Sequence, residues 1–389
     1  MRRILARLLF IPVVLATTFA SSGTTPFVLD GNRVYARLAF VRPDGSLHQA
    51  LAFVDMGSPS TILTESLFKE LQLDRNQPLT FHVGAMVVRV PAAQVASDPS
   101  PPYSVGSDLK VEAVLPAGVM QHYVIVLDYQ KRTLIFARRT LKPEGVAVPF
   151  HINQKTGLIA VEASINGNTY PITIDNGSAY TWVRQSTARS WLAAHPDWER
   201  AIGAVGPSNM MMAGNGWESS GILMRIPEMM IGAVSLKEVG ALAAGHGPPV
   251  SGKLELFDWY STKNALPVIG WLGGNVLKRF RLTIDYPHRT MYWFTQSAPD
   301  SHDLDQVGLT LQAKHGDYIV AAVATKNSKP TVQNVRRGDK LLRINALETS
   351  HANWGAIYAA LHGKPGEVRN LLLQRNGTQL KVPAKVTAF

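Results

Sequence analysis

The chain has 389 residues, and its length predicts two or three domains. A hydrophobic content of 46%, a charged content of 17%, 31 glycines and 24 prolines predict a packed globular protein and exclude disorder, collagen and coiled coil. The absence of cysteine excludes disulfide scaffolds, thiol proteases, zinc knuckles and lipoprotein anchors, and the formal charge of +11 is too scattered to indicate nucleic-acid binding.

Residues 1–20 have the architecture of a signal peptide. Three arginines near the start precede an apolar run over Leu8–Leu15, and small residues lead up to Ala20. The apolar run is too short for a comfortable membrane span. We therefore expect cleavage near Ala20 and a periplasmic or secreted protein with no stable membrane span. An uncleaved N-terminal anchor is the alternative.

Short runs of β-branched and aromatic residues follow, separated by Gly, Pro, Asn and Asp. Val34–Phe40, Leu51–Val54 and Met86–Val90 are examples, whereas helical periodicity is confined to short stretches such as Glu65–Leu71. This pattern predicts a mainly β fold, with turns at the spacing of a sandwich or a barrel.

An internal repeat divides the chain. Leu51–Ser58 is matched by Ile172–Ser178, and each is an apolar strand that runs into Asp-x-Gly-Ser. A second matched pair, Val114–Phe136 and Trp271–Trp293, follows in the same order. Repetition at both points predicts two homologous halves, joined near Arg139–Val146.

The repeat supplies one candidate catalytic aspartate from each half, Asp55 and Asp175. Two carboxyl groups held close together cannot both ionise easily, so they share a proton. The ionised one can accept a proton from water while the protonated one polarises a peptide carbonyl. The glycine allows a sharp turn, and the serine after it can hydrogen-bond a carboxylate oxygen. Asp128 and Asp285, at matching strand ends, fit a structural role in turns.

These residues resemble bacterial retropepsin-like aspartyl proteases. Besides the two Asp-x-Gly-Ser motifs, the resemblance rests on Val268–Gly270, Leu272–Gly274 and Ile284–Tyr286, and it covers roughly residues 25–297 in pepsin-like tandem order.

The resemblance implies two retropepsin-like β lobes, over residues 24–145 and 146–297, with a cleft between them. It implies an aspartic endopeptidase that cleaves peptide or protein substrates with Asp55 and Asp175 as the dyad and without a metal or other cofactor. The residues expected to support that dyad are Gly57, Ser58, Gly177 and Ser178. Hairpins over Leu79–Val95 and Ser220–Ala233 are expected to fold over the cleft as flaps.

The sequence departs from this family at the loops around the dyad. Met56 and Asn176 stand where Thr or Ser normally interlocks the two loops; asparagine can replace some of those bonds and methionine cannot. Leu115–Ala117 stands where the second half has Leu272–Gly274, so we expect that supporting loop to differ, because Pro116 lacks a backbone donor. A catalytically impaired, exported peptide-binding protein on the same fold therefore remains an alternative.

Two other segments have no settled role. Met210–Trp217, with three methionines and two glycines, is interpreted either as an adaptable substrate-contacting loop or as an ordinary surface loop. Ser66–Lys69 has Ser-x-x-Lys spacing but lacks the companion motifs of that hydrolase chemistry. Other hydrolase, phosphate-binding and dinucleotide-binding fingerprints are absent from the sequence.

Residues 303–389 resemble a bacterial PDZ domain. Gly338 and Asp339 lead into an apolar strand that ends at Asn345, although Ala346 replaces the expected glycine. The resemblance implies capture of a C-terminal peptide by strand addition. The loop expected to bind its carboxylate comprises Gly308, Leu309, Thr310 and Leu311. Polar residues 298–305 are predicted to be a linker, and a domain that only packs against the lobes is the alternative.

Overall fold

The computed structural model describes residues 20–74, 76–99, 109–139, 142–203, 218–244 and 255–389, together with the backbone of Gly206–Pro207. Strands form most of its regular structure, which confirms the prediction of a mainly β protein. In the described parts of the chain, no helix combines the length and the apolar character needed to cross a membrane. Most of the predicted signal sequence and the segment Met210–Trp217 lie outside the described residues.

We call residues 24–145 the first half and residues 146–297 the second half. The elements of the first half are β1 (Ser22–Asp30), β2 (Arg33–Val41), β3 (Leu47–Asp55), β4 (Thr61–Thr64), α1 (Glu65–Glu70), β5 (Leu79–Val83), β6 (Met86–Val90), β7 (Val95–Asp98), β8 (Val111–Pro116), α2 (Ala117–Met120), β9 (Val124–Asp128) and β10 (Thr133–Ala137). Helix α1 begins where the Thr64 hydroxyl accepts a hydrogen bond from the Leu67 backbone N–H.

The second half adds a longer helix and a longer hairpin. Its elements are β11 (Val146–Pro149), β12 (His151–Ile152), β13 (Ile159–Ile165), β14 (Asn168–Ile174), β15 (Thr181–Arg184), α3 (Gln185–Ala194), β16 (Arg200–Ile202), β17 (Gly206–Pro207), β18 (Ile222–Ile231), β19 (Val234–Ala244), α4 (Leu256–Lys263), β20 (Gly270–Leu272), α5 (Gly274–Leu277), β21 (Phe280–Asp285) and β22 (Thr290–Thr295). Antiparallel pairing of β18 with β19 forms the long hairpin.

The strand that leads into each Asp-x-Gly-Ser motif has the same neighbours in both halves. β3 is parallel to β8, β8 is antiparallel to β4, and β4 is parallel to β7. In the second half, β14 is parallel to β20, β20 is antiparallel to β15, and β15 is parallel to β19. A short helix follows β8 and β20 alike. The repeat in sequence is therefore a repeat in backbone topology, and Asp55 and Asp175 occupy equivalent points.

The second repeated segment joins the two halves in one sheet. It forms the hairpins β9–β10 and β21–β22, and β9 pairs antiparallel with β21. Asp128 accepts a hydrogen bond from the Lys131 backbone at 2.9 Å, and Asp285 accepts one from the His288 backbone at 3.1 Å. Both aspartates are thus turn residues, as predicted.

One hydrophobic cluster runs through both halves. It extends from Phe27 and Val34 in the first half to Leu282 and Trp293 in the second. Because full burial of one such side chain stabilises a fold by about 1.5–3 kcal/mol, this shared core couples the folding of the two halves.

We call residues 303–389 the C-terminal region. Its elements are β23 (Leu309–Lys314), β24 (Asp317–Val323), β25 (Thr325–Lys326), β26 (Lys329–Pro330), β27 (Lys340–Ile344), β28 (Leu347–Glu348), α6 (Trp354–Leu361), β29 (Val368–Arg375) and β30 (Thr378–Lys385). The strand order is β17-β23-β24-β27-β29-β30, with β28 beside β27. The region has its own cluster of buried side chains, centred on Leu311, Trp354 and Leu373.

The last part of the segment predicted to be a linker, residues 303–305, is buried, whereas residues 298–302 are exposed or half-buried. Asp303 forms an ion pair with Arg225 at 3.0 Å, and both side chains are less than a tenth exposed. Arg225 also donates to the carbonyl oxygen of Phe389 at 2.8 Å, while Asp305 accepts from the Phe389 backbone N–H at 3.0 Å. The linker prediction is therefore wrong for residues 303–305, since Asp303 and Asp305 are paired inside the protein instead of being solvated.

Candidate active site

The two Asp-x-Gly-Ser loops face each other, and the carboxyl groups of Asp55 and Asp175 lie close enough to interact directly. Each glycine lies against the opposite carboxyl group. A Cβ atom on Gly57 would lie 2.4 Å from Asp175 Cγ, and one on Gly177 would lie 2.4 Å from Asp55 Oδ1. No other residue fits at either position without displacing a carboxyl group, so the glycines are what allow the two aspartates to meet.

Backbone N–H groups orient each carboxylate. The Gly57 N–H donates to Asp55 Oδ1 at 2.8 Å; those of Gly177 and Ser178 donate to Asp175 Oδ1 at 2.9 and 3.2 Å. The Ser178 hydroxyl gives its single proton to the Tyr180 carbonyl at 2.7 Å. The serine of the second loop therefore supports the aspartate through its backbone, whereas the sequence had predicted a role for its hydroxyl.

Asn176 clamps the two loops from one side. Its Nδ2 group donates to Val54 O at 2.9 Å, and its Oδ1 atom accepts from the Met56 backbone N–H at 2.8 Å. Asn176 and Met56 are fully buried. The asparagine thus makes both cross-interface bonds, while the methionine contributes its backbone and packs in the core.

The short helices after β8 and β20 support the loops in the same way, despite their different sequences. In each half, the first helical residue donates its backbone N–H to the carbonyl of the motif's serine: Ala117 to Ser58 at 2.9 Å and Gly274 to Ser178 at 2.8 Å. The second half has further bonds at this point: the Gly273 N–H donates to Thr181 Oγ1 at 3.2 Å, which Pro116 cannot do, and the Asn275 N–H donates to Ala179 O at 3.0 Å.

The dyad is electrostatically asymmetric. Burial raises the pKa of Asp175 well above its ordinary value, and the negative charge of Asp55 raises it further. Burial also raises the pKa of Asp55, but the Gly57 N–H, the hydrogen bond from Asp175 and the charge of Arg33 oppose that rise. The two carboxyl groups therefore share one proton, and the charge of Arg33 favours Asp55 as the ionised member.

Two residues that the sequence did not single out also contact the dyad loops. Arg33 Nε donates to Gly177 O at 3.0 Å, and the Tyr260 hydroxyl donates to Gly57 O at 3.0 Å. Burial raises the pKa of Tyr260 well above its ordinary value, and the neighbouring Asp175 raises it further, so the phenol stays protonated. In the sequence, Arg33 could have been found from its place directly after the Asp-Gly-Asn turn. The sequence around Tyr260 contains no comparable motif.

The β5–β6 hairpin, predicted as the first flap, ends far from the dyad. A Cβ on Gly84 at its turn would lie 2.5 Å from Thr24 O. Thr24 lies five residues before Leu29 in β1. Leu29 pairs with Val34 of β2, and Val34 pairs with Val54 of β3, the residue before Asp55. At about 3.3 Å per residue, the turn lies about 17 Å along the strand from the dyad.

The β18–β19 hairpin, predicted as the second flap, also turns away. Ile231 at its turn pairs with Ala163, which in turn pairs with Tyr170. Tyr170 is five residues before Asp175 in the chain, again about 17 Å along a strand. Neither turn covers the dyad, and the flap prediction is wrong for both hairpins.

The loop predicted to bind a peptide carboxylate is enclosed. Gly308, Leu309, Thr310 and Leu311 are all buried. The carbonyl of Gly308 accepts from the Ala324 backbone N–H at 2.8 Å, and β17 pairs parallel with β23 at Thr310 and Leu311. The strand edge expected to be open to a peptide is therefore occupied by the chain's own segment Gly206–Pro207.

Two of the solved structures that resemble this chain are 11% identical to it in sequence. The aspartic proteinase from Irpex lacteus aligns with a TM-score of 0.39 at 11% identity, over 71% of this chain and 98% of that chain. Basic 7S globulin from soybean aligns with a TM-score of 0.41 at 11% identity, over 72% of this chain and 96% of that chain. No family model and no curated protein matches the sequence.

Proposed function

We propose that the protein is an aspartic endopeptidase that hydrolyses peptide bonds with Asp55 and Asp175. The observation that carries this proposal is that two carboxyl groups at equivalent points of a duplicated topology face each other at close range. A turn or strand-end aspartate has no need of a carboxyl partner from the other half of the chain. Placing two of them in contact costs electrostatic energy, which a shared proton relieves and catalysis uses.

We assign the ionised role to Asp55, because the charge of Arg33 favours its ionisation, and the protonated role to Asp175. The ionised Asp55 accepts a proton from a water molecule as the water oxygen attacks the carbonyl carbon of the scissile peptide bond. The protonated Asp175 donates its hydrogen bond to the carbonyl oxygen and stabilises the charge that develops there. The tetrahedral intermediate then collapses, the C–N bond breaks, and a carboxyl proton passes to the leaving nitrogen.

Export and the C-terminal region complete the proposal. Residues 1–20 would act as a signal peptide, giving a periplasmic or secreted enzyme. The residue contacts of the C-terminal region favour a supporting role: Arg225 of the second half binds both Asp303 and Phe389. PDZ-like capture of substrate or partner C-termini would first require displacement of β17 from β23.

Digestion of a peptide library by the full chain, from acidic to neutral pH, tests the activity. Cleavage that is bell-shaped in pH and lost in both Asp55→Asn and Asp175→Asn supports the dyad, because neither carboxyl group can perform both proton transfers alone. Asp128→Asn is the matched control, since Asp128 is buried at a strand end but lies in a turn. Full cleavage by either dyad variant would reject the mechanism.

Peptide binding without hydrolysis is the second candidate. It is favoured by Met56, which offers no hydroxyl to the clamp and leaves both cross-interface bonds to Asn176. A peptide in which a hydroxyl-bearing tetrahedral carbon replaces the scissile carbonyl separates the two candidates. Binding of this analogue together with cleavage of the matching peptide supports the enzyme; binding of both peptides without cleavage supports the adaptor.

A further inference from the structure

The turn between β1 and β2 connects the first half to the loop of the second aspartate. Gly31 and Asn32 both have positive φ, 53° and 65°, which is the geometry of a two-residue type I′ hairpin turn. The Asn32 amide donates to Ala179 O at 3.1 Å, and Arg33 Nε donates to Gly177 O at 3.0 Å. One tight turn therefore anchors the second Asp-x-Gly-Ser loop at two of its carbonyl groups.

Helix α6 of the C-terminal region packs on the same turn. The Gly355 backbone N–H donates to Asp30 Oδ1 at 2.9 Å, and Arg33 Cζ lies 5.8 Å from the centroid of the Trp354 ring. A Cβ on Gly355 would lie 2.3 Å from Asp30 Oδ1, so a larger residue would displace the carboxylate or the helix. Arg33 is 0% exposed and Trp354 is 1% exposed, so the packing fixes the guanidinium in place.

Arg33 also acts on the dyad through its charge. Burial raises the pKa of Asp55, and Arg33 is the cation among the described residues that opposes this rise. Other charged or titratable groups around the dyad and Arg33 are Asp175, Asp30, Glu218, Lys278 and the phenols of Tyr35, Tyr129, Tyr180, Tyr260 and Tyr358. Burial raises the pKa of each of these phenols, so they remain uncharged and Arg33 supplies the compensating positive charge.

We propose that Arg33 is a positioning residue for the dyad and that helix α6 holds it in place, so that the C-terminal region acts on catalysis through the β1–β2 turn. The kinetic part of this inference rests on the proposed peptidase function. The hydrogen bond of Arg33 fixes the loop that carries the protonated aspartate. Its charge favours ionisation of the aspartate that takes the proton from water.

Substitutions at Arg33 separate geometry from charge. Arg33→Met removes both contributions; we expect kcat to fall about 10- to 100-fold with little change in KM, and the acid limb of the pH profile to move to higher pH. Arg33→Lys keeps the charge but loses the Nε hydrogen bond, so kcat should fall while the acid limb stays in place. Trp354→Leu should also move the acid limb of the pH profile to higher pH, but by a smaller amount than Arg33→Met.

Arg225→Met is the matched control. Arg225 is also a buried arginine that connects the C-terminal region to the rest of the chain, but its partners are Asp303 and Phe389 and not the dyad. We expect this variant to lose stability and to keep the wild-type acid limb. If Arg33→Met behaves in the same way, Arg33 has only a structural role and the inference is wrong.

Thermal unfolding tests the inference without activity. Because burial raises the pKa values of the dyad, ionisation destabilises the folded state and Tm should fall as pH rises through those values. In Arg33→Met this fall should extend to higher pH, and the extension should disappear when Asp55→Asn is added. If the wild type cleaves no peptide, the proposed function fails, yet this comparison still decides the role of Arg33.

If the Arg33→Met variant does not fold, the variants Arg33→Lys and Trp354→Leu test the inference. Retention of the wild-type acid limb and of the wild-type Tm–pH profile in Trp354→Leu would overturn the link to helix α6. A Tm–pH profile that shifts in Arg33→Lys as far as in Trp354→Leu would overturn the role assigned to the charge.

Discussion

Removal of the Asn176 side chain should loosen the contact between the two aspartate loops. In Asn176→Ala, the Met56 N–H and the Val54 carbonyl lose their partners, and the residues that carry them are fully buried. Each unsatisfied buried backbone group costs about 1–3 kcal/mol, so the two together should lower the free energy of unfolding by about 2–6 kcal/mol. Peptide cleavage should fall as well, because the two carboxyl groups would no longer be held in contact.

Urea unfolding followed by tryptophan fluorescence measures the loss. Asn168→Ala is the control, since Asn168 is an exposed asparagine at the start of β14, the strand that leads into the Asn176 loop, and it should change stability by less than about 0.5 kcal/mol. Asn176→Asp keeps an acceptor for Met56 but places a second oxygen against the Val54 carbonyl, so it should also be destabilised. Equal stability of Asn176→Ala and Asn168→Ala would refute the clamp.

Four further substitutions or truncations give separate expectations. Asp175→Asn should abolish cleavage and raise Tm relative to the wild type, by an amount that grows as pH rises above the ordinary aspartate value, because the buried group can no longer ionise. Met56→Thr should destabilise the protein by about 2–4 kcal/mol in urea unfolding, since Met56 fills the core and Asn176 already holds both interface bonds. Gly57→Ala should eliminate turnover while leaving the far-ultraviolet spectrum unchanged, because its Cβ would displace the opposite carboxyl group. Truncation after Thr295 should lower Tm and short-peptide turnover together; normal turnover on short peptides would instead indicate an independent C-terminal module.

The apolar alternation and the duplicated motif predicted the strands, the two halves and the meeting of Asp55 with Asp175. These features follow from local chemistry: strand periodicity sets which face is buried, and a repeated strand–loop segment adopts a repeated backbone. The hairpins themselves were also predictable from sequence. The direction of their turns was not, because it depends on how Gly84 packs against Thr24, 60 residues away.

The residues around the dyad show what only the tertiary structure decided. The Asp-Gly-Asn turn marks the place of Arg33 in a hairpin but not its role, which arises because Gly177 and Trp354, distant in sequence, converge on one guanidinium. Likewise, acidic residues at 298–305 have the composition of a solvated linker until Arg225 and Phe389 bury Asp303 and Asp305. The sequence determined which groups could react, because two equivalent loops supply them. Long-range packing determined which partners hold those groups, because burial and pairing depend on contacts that no local pattern encodes.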